Sequence, residues 1–138
     1  MATIYTTEAT GYYSGSTWKQ LSNYYPDRFA FTYTTAYNSS TNKYDITWSL
    51  KVDASEGNKN YYVRLYDYSI SLDGTVLSSY NKGSSGKYVY HGDVLASGTK
   101  SYAQWTTDAS REVIITGHLY SGQDTCLCSA STTIVIPA

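Results

Sequence analysis

Period-two alternation of apolar residues, evenly spaced turn clusters and the lack of any helical period predict an all-β fold, an antiparallel sandwich of about eight strands with an N-terminal arm. From Phe29 onward, side chains alternate in character, as they do along a strand with one face buried and one wet. Gly, Ser, Asn and Asp clusters interrupt the alternation about every 8–12 residues, the spacing of sandwiches and small barrels. A parallel sheet needs crossover helices, and no stretch shows their pattern.

At 138 residues the chain has the size of one domain. Charged residues make up 15% of it, below the ~25% of an average domain, and 17 tyrosines replace part of the usual aliphatic content. Tyr and Thr both favour strands. Residues 1–28 differ in composition. They are rich in Thr, Ser, Gly and Tyr, with Ile4, Trp18 and Leu21 as anchors, and they read as the arm. Residues 29–138 read as the β-sandwich domain.

The strands follow in order. Phe29, Phe31, Tyr33 and Thr35 alternate with Ala30, Thr32 and Thr34, and residues 38–42 form a turn. Tyr44, Ile46, Trp48, Leu50 and Val52 then share one face, with Asp45, Thr47, Ser49 and Lys51 on the other. After a loop at 56–60, Tyr61, Val63 and Leu65 alternate. Tyr68, Ile70 and Leu72 continue the row out of phase, so a bulge or bend is expected at Tyr66-Asp67. Asp73-Gly74 precedes Thr75-Val76-Leu77 and marks a hairpin, because Gly accepts a positive φ without strain. Residues 82–86 read as a loop and Tyr88–His91 as a short strand. Ser97-Gly98-Thr99-Lys100 reads as a turn, Ser101–Trp105 as a strand and residues 107–110 as a turn. Val113, Ile115, Gly117 and Leu119 face one way along a strand from Glu112 to Tyr120. A turn at 122–124 leads to one or two closing strands over Thr125–Ile136.

A net charge of −1 gives no electrostatic footing for nucleic acid. No run of about 20 apolar residues suggests membrane insertion. Met1–Tyr5 lacks the basic and apolar regions of a secretory signal, so synthesis in the cytoplasm without a signal peptide is expected. Cys126 and Cys128, one residue apart on a strand, face the same way at roughly 7 Å, where a disulfide would be strained. They read as small core residues, and no metal or cofactor is expected.

Catalytic patterns are weak. His91 with Asp93 resembles part of a triad, but no nucleophile elbow accompanies them. His118 falls on the face opposite Val113 and Ile115. The carboxylates lie mostly at turns, where Asp bonds its own backbone, and none stands out as half of a pair. The surplus of Tyr is more informative. Tyr61-Tyr62 and Tyr12-Tyr13 are neighbours on opposite strand faces, so one of each pair points away from a one-sided core. Exposed Tyr supplies contact area at low entropic cost and is enriched at interfaces.

Residues 43–138 resemble the immunoglobulin-like β-sandwich modules of minor structural proteins of tailed bacteriophages with long non-contractile tails. The resemblance rests on Tyr44-Asp45-Ile46-Thr47-Trp48-Ser49-Leu50, on Ser69-Ile70-Ser71-Leu72-Asp73-Gly74-Thr75, and on Val89-Tyr90-His91-Gly92-Asp93 with Gly98-Thr99-Lys100-Ser101. The terminal Ser129-Ala130-Ser131-Thr132-Thr133-Ile134-Val135-Ile136-Pro137 is similar to that family's closing strand. It implies an immunoglobulin-like sandwich in a non-enzymatic virion protein, a tail or capsid accessory module. Its partners would be other virion proteins, in a homo-oligomer or array on a particle, or a host cell surface. Tyr5, Tyr12, Tyr13, Trp18, Tyr24 and Tyr25 of the arm are the candidates for assembly contacts. The alternative is a carbohydrate-binding module, in which Trp105, Tyr62 and Tyr66 form the platform for a cell-surface glycan.

Overall fold

The computed structural model describes residues 2–6, 11–14, 17–20, 27–54, 60, 62–81, 86–103, 109–120 and 126–136. Eleven strands run through them: β1 (Ala2–Tyr5), β2 (Gly11–Ser14), β3 (Thr17–Gln20), β4 (Arg28–Asn38), β5 (Lys43–Asp53), β6 (Tyr62–Leu72), β7 (Thr75–Asn81), β8 (Lys87–Tyr90), β9 (Val94–Ala103), β10 (Ala109–Tyr120) and β11 (Cys126–Ile136). No helix among the described residues is long and apolar enough to cross a membrane. Nine of the strands form two antiparallel sheets. The first has the order β1-β4-β5-β9, and the second β11-β10-β6-β7, with β8 also paired to β6. The chain passes between sheets from β5 to β6, from β8 to β9 and from β9 to β10. With β1-β4-β5-β9 facing β11-β10-β6-β7 across one core, this is an antiparallel β-sandwich.

The inner faces follow the alternation in the sequence. Phe29, Phe31, Ile46, Leu50 and Val52 of the first sheet meet Val63, Leu65, Ile70, Leu72, Val113, Ile115 and Leu119 of the second in one buried cluster. Each such side chain contributes about 1.5–3 kcal/mol through removal from water, the largest favourable contribution to this fold. Cys128 is buried among them, and its thiol donates to the Asp27 carbonyl at 3.4 Å. Asp73 and Gly74 adopt φ of 54° and 82°, the two positive values of a type I′ hairpin, whose twist matches that of β6 and β7.

The phase shift at Tyr66-Asp67 is a bulge. On β6, His118 of β10 pairs with Asp67 and Leu119 with Leu65, so Tyr66 is the extra residue. The bulge returns Tyr68 to the core and leaves Asp67 on the outer face.

Two expectations are corrected. Ser97-Gly98-Thr99-Lys100 is not a turn but the middle of β9, paired with β5 from Ala103 back to Val94. Gly98 lies opposite Trp48, and a Cβ there would stand 3.3 Å from the indole Cζ2. The glycine makes room for a ring rather than turning the chain. Of the turn expected at 107–110, residues 107 and 108 lie outside the described residues, and Ala109 and Ser110 open β10 instead. The closing segment is one strand, β11.

Residues 1–28 hold two kinds of structure. β1 forms the edge of the first sheet, with Ala2 to Tyr5 opposite Tyr33 to Ala30. Thr6 is buried, and its hydroxyl accepts from the Phe29 amide at 2.9 Å. Among the described residues β2 and β3 pair with each other, Tyr13 opposite Trp18, in a two-stranded sheet separate from the other two, and β2 lies against β11.

Candidate binding face

The outer face of the second sheet collects the aromatic surface. On β6, Tyr62 and Arg64 alternate with the buried Val63 and Leu65. On β8, Tyr88 and Tyr90 flank the buried Val89 in the same way. The register sets Tyr62 opposite Tyr90 and Arg64 opposite Tyr88. Half or nearly half of each residue is exposed: 47% for Tyr62, 56% for Tyr88 and 51% for Tyr90. Single exposed tyrosines need no explanation, but three on two neighbouring strands form a patch.

The patch is braced from within. The Tyr62 and Tyr88 rings stack with centroids 4.2 Å apart and planes 26° apart. The Arg64 guanidinium lies 5.5 Å from the Tyr88 centroid, a cation–π contact. Its hydrogen bonds to Tyr66 and then Tyr88 raise its pKa, against the opposing effect of desolvation, so its charge is permanent.

The next row along the face holds the bulge. His118 Nδ1 is 2.8 and 2.9 Å from the two Asp67 carboxylate oxygens. An ionised carboxylate only accepts, so Nδ1 donates, and this fixes the imidazole tautomer. Side chains of both residues remain more than a third exposed. Beyond them the face carries hydroxyls: Ser69 opposite Thr116 on one side and Ser79 on the other.

The triad-like pair does not form. His91 Nδ1 accepts from the Ala54 amide at 3.1 Å, while the Asp93 carboxylate accepts from the Tyr90 amide at 2.8 Å. Asp93 closes the turn between β8 and β9, and His91 ties that turn to the end of β5.

The outer face of the first sheet is hydroxylic. Thr32, Thr34, Thr47, Ser49 and Ser97 line a shallow hollow of about 270 Å³. Thr32 and Ser49 share a hydrogen bond of 2.7 Å. One row further, Asp45 accepts from Ser101 at 2.6 Å and from Asn38 at 3.2 Å. The Ser101 hydrogen bond is the main reason its pKa is lowered, followed by the Asn38 bond, against a small opposing desolvation. A carboxylate with a depressed folded pKa stabilises the fold above its unfolded value of about 3.9, and that contribution disappears as pH falls through the folded value. In urea titrations, Ser101→Ala is expected to lower the midpoint at neutral pH. The gap from the parent chain should close as pH drops below 3.9.

The sequence candidates are divided among different parts of the molecule. Tyr5 lies on the edge of the first sheet with the Arg28 guanidinium 3.9 Å from its ring centroid, and Arg28 in turn pairs with Asp53 at 2.6 Å. Tyr12, Tyr13 and Trp18 belong to the β2–β3 hairpin. Tyr24, Tyr25 and Trp105 fall outside the described residues. Tyr62 lies on the outer face of the second sheet, and Tyr66, the extra residue of the bulge, is hydrogen-bonded to Arg64. Tyr88 and Tyr90 join Tyr62 on that face, although nothing had singled them out. The signal was present in Tyr88-Val89-Tyr90, where two aromatics bracket an aliphatic at strand period.

No family model, no curated protein and no solved structure matches the chain.

Proposed function

We propose that the chain is a non-enzymatic structural module of a tailed-bacteriophage particle. In this reading the Tyr-rich segment before Asp27 makes the assembly contacts, and the sandwich projects from the particle. The carrying observation is the β2–β3 hairpin: a two-stranded sheet that shares no strand pairing with either main sheet and touches the sandwich through β2 against β11, with Tyr12, Tyr13 and Trp18 in its strands. A two-stranded hairpin is marginal by itself and gains stability by packing on a neighbour. The resemblance of residues 43–138 to phage tail modules supports the particle as that neighbour.

The experiment replaces residues 8–25 with a short Gly/Ser linker and keeps β1, Thr6 and Asp27, which belong to the sandwich and its edge. The variant is expected to fold, as judged by cooperative unfolding, and to be missing from purified particles by mass spectrometry while the parent chain is present. Incorporation of the variant at the parent level would refute the role of the hairpin. Absence of the parent chain from particles would refute the whole reading.

A further inference from the structure

Resting on the reading of a projecting module, we propose that the outer face of the second sheet, from Tyr62 and Tyr90 to Ser69 and Thr116, binds the pyranose rings of a polysaccharide. Four rows of outward side chains make up the track. Tyr62 and Tyr90 form the first, Arg64 and Tyr88 the second, Asp67 and His118 the third, and Ser69, Thr116 and Ser79 the fourth. At about 3.3 Å per residue the track is roughly 20 Å long.

Its composition separates a saccharide from a protein as occupant. The centre of a protein interface is enriched in aromatics and Arg but depleted in Asp and Ser. Here the rings run directly into Asp67, His118, Ser69 and Thr116. The exposed aliphatics Val76 and Ile114 come only one row further on, on either side of Ser71. A sugar ring has the complementary chemistry: a face of C–H groups and a rim of hydroxyls. The C–H face meets the negative π-face of a tyrosine. The rim hydroxyls donate to Asp67, whose carboxylate accepts bonds beyond the one from His118, and they exchange bonds with Ser69 and Thr116.

The face is also prepared in advance. Tyr62 and Tyr88 stack on each other, Arg64 braces Tyr88 and Tyr66, and Asp67 orients His118. Side chains already fixed lose little entropy when a ligand arrives, which favours affinity.

The test uses the full chain in affinity electrophoresis through gels containing dextran, soluble chito-oligosaccharide or polygalacturonate, with binding constants from calorimetry for any sugar that retards it. At least one of the three should retard the parent chain. Tyr88→Ala and Tyr62→Ala should each weaken binding about tenfold, the loss of one ring contact plus its buried area. Tyr5→Ala, on the other sheet, should leave it unchanged. All three tyrosines are exposed, so the variants should keep the parent's unfolding midpoint within a small margin. Failure of all three saccharides to retard the chain would overturn the proposal, as would retardation that survives the double variant Tyr62→Ala/Tyr88→Ala. Loss of particle incorporation in that double variant, without saccharide binding by the parent, would identify the face as a protein contact and also overturn it. Particle incorporation is scored separately, so saccharide binding by a chain missing from particles would refute the reading above while still assigning the saccharide to this face.

Discussion

Gly117→Ala is expected to destabilise the fold by about 3 kcal/mol, the upper range for overpacking a tight site. A Cβ at this position would lie 2.6 Å from the Asp67 carbonyl oxygen and 2.8 and 2.9 Å from two atoms of the Phe29 ring. Neither neighbour has room to retreat. Phe29 is fully buried between the sheets, and Asp67 is held in the β6 bulge by its pairing with His118 and Asn81. The glycine therefore allows the bulge and the core to meet. Urea unfolding should show a lower midpoint with an unchanged slope, the mark of a loss of native stability. Combining Gly117→Ala with Phe29→Leu should recover only part of the loss, because the carbonyl contact remains. The two changes should be clearly non-additive. A second readout follows from position: His118 is the next residue, so a shift of β10 away from Asp67 should alter the His118 imidazole signals by NMR. An unchanged midpoint would mean that β10 and β6 are free to separate at the bulge.

The same region shows how far the sequence was legible. The strand at Tyr44–Val52 could be read directly, because one buried and one wet face leave a period of two that needs no knowledge of the partner. The bulge was legible for the opposite reason, as a break in that period at Tyr66-Asp67. The Asp73-Gly74 hairpin was legible because its positive φ angles demand those residue types. β9 was not. Over residues 97–101 its outward row is Ser97, Thr99 and Ser101 and its inward row Gly98 and Lys100, so the apolar signal is confined to Ala96 and Tyr102 on either side. Its composition is that of a turn, and only the pairing with β5 makes it a strand.

The candidate face divides along the same line. Tyr62 was legible in an adjacent pair of tyrosines, and the outward face of His118 in the alternation of β10. That Asp67 and His118 touch depends on the register of β6 against β10, which no local pattern states. Tyr88 and Tyr90 join Tyr62 only because β8 adds to β6 beside the end of β7. Long-range pairing, not local preference, assembled the patch.

Trp48→Ala is expected to cost about 4 kcal/mol, and it should reverse the effect of a substitution at Gly98. Trp48 is buried on the inner face of β5, and its indole stacks with Phe31 at a centroid distance of 5.9 Å and an interplanar angle of 18°. Its far edge covers Gly98 on β9. In the parent chain, Gly98→Ala would press a methyl to 3.3 Å from Cζ2, and Phe31 behind the ring limits its retreat. A loss of roughly 1 kcal/mol follows. In the Trp48→Ala background that contact is gone and the cavity is open. The same Gly98→Ala should then stabilise by about 0.5–1 kcal/mol, the ordinary gain from replacing glycine inside a strand. The coupling energy of the cycle should therefore reach about 1.5–2 kcal/mol, well above the scatter for independent sites. A true turn at residues 97–100 would give a Gly98→Ala effect indifferent to residue 48. A coupling near zero would thus restore the turn that the composition suggested, and the measured sign decides between composition and cross-strand pairing.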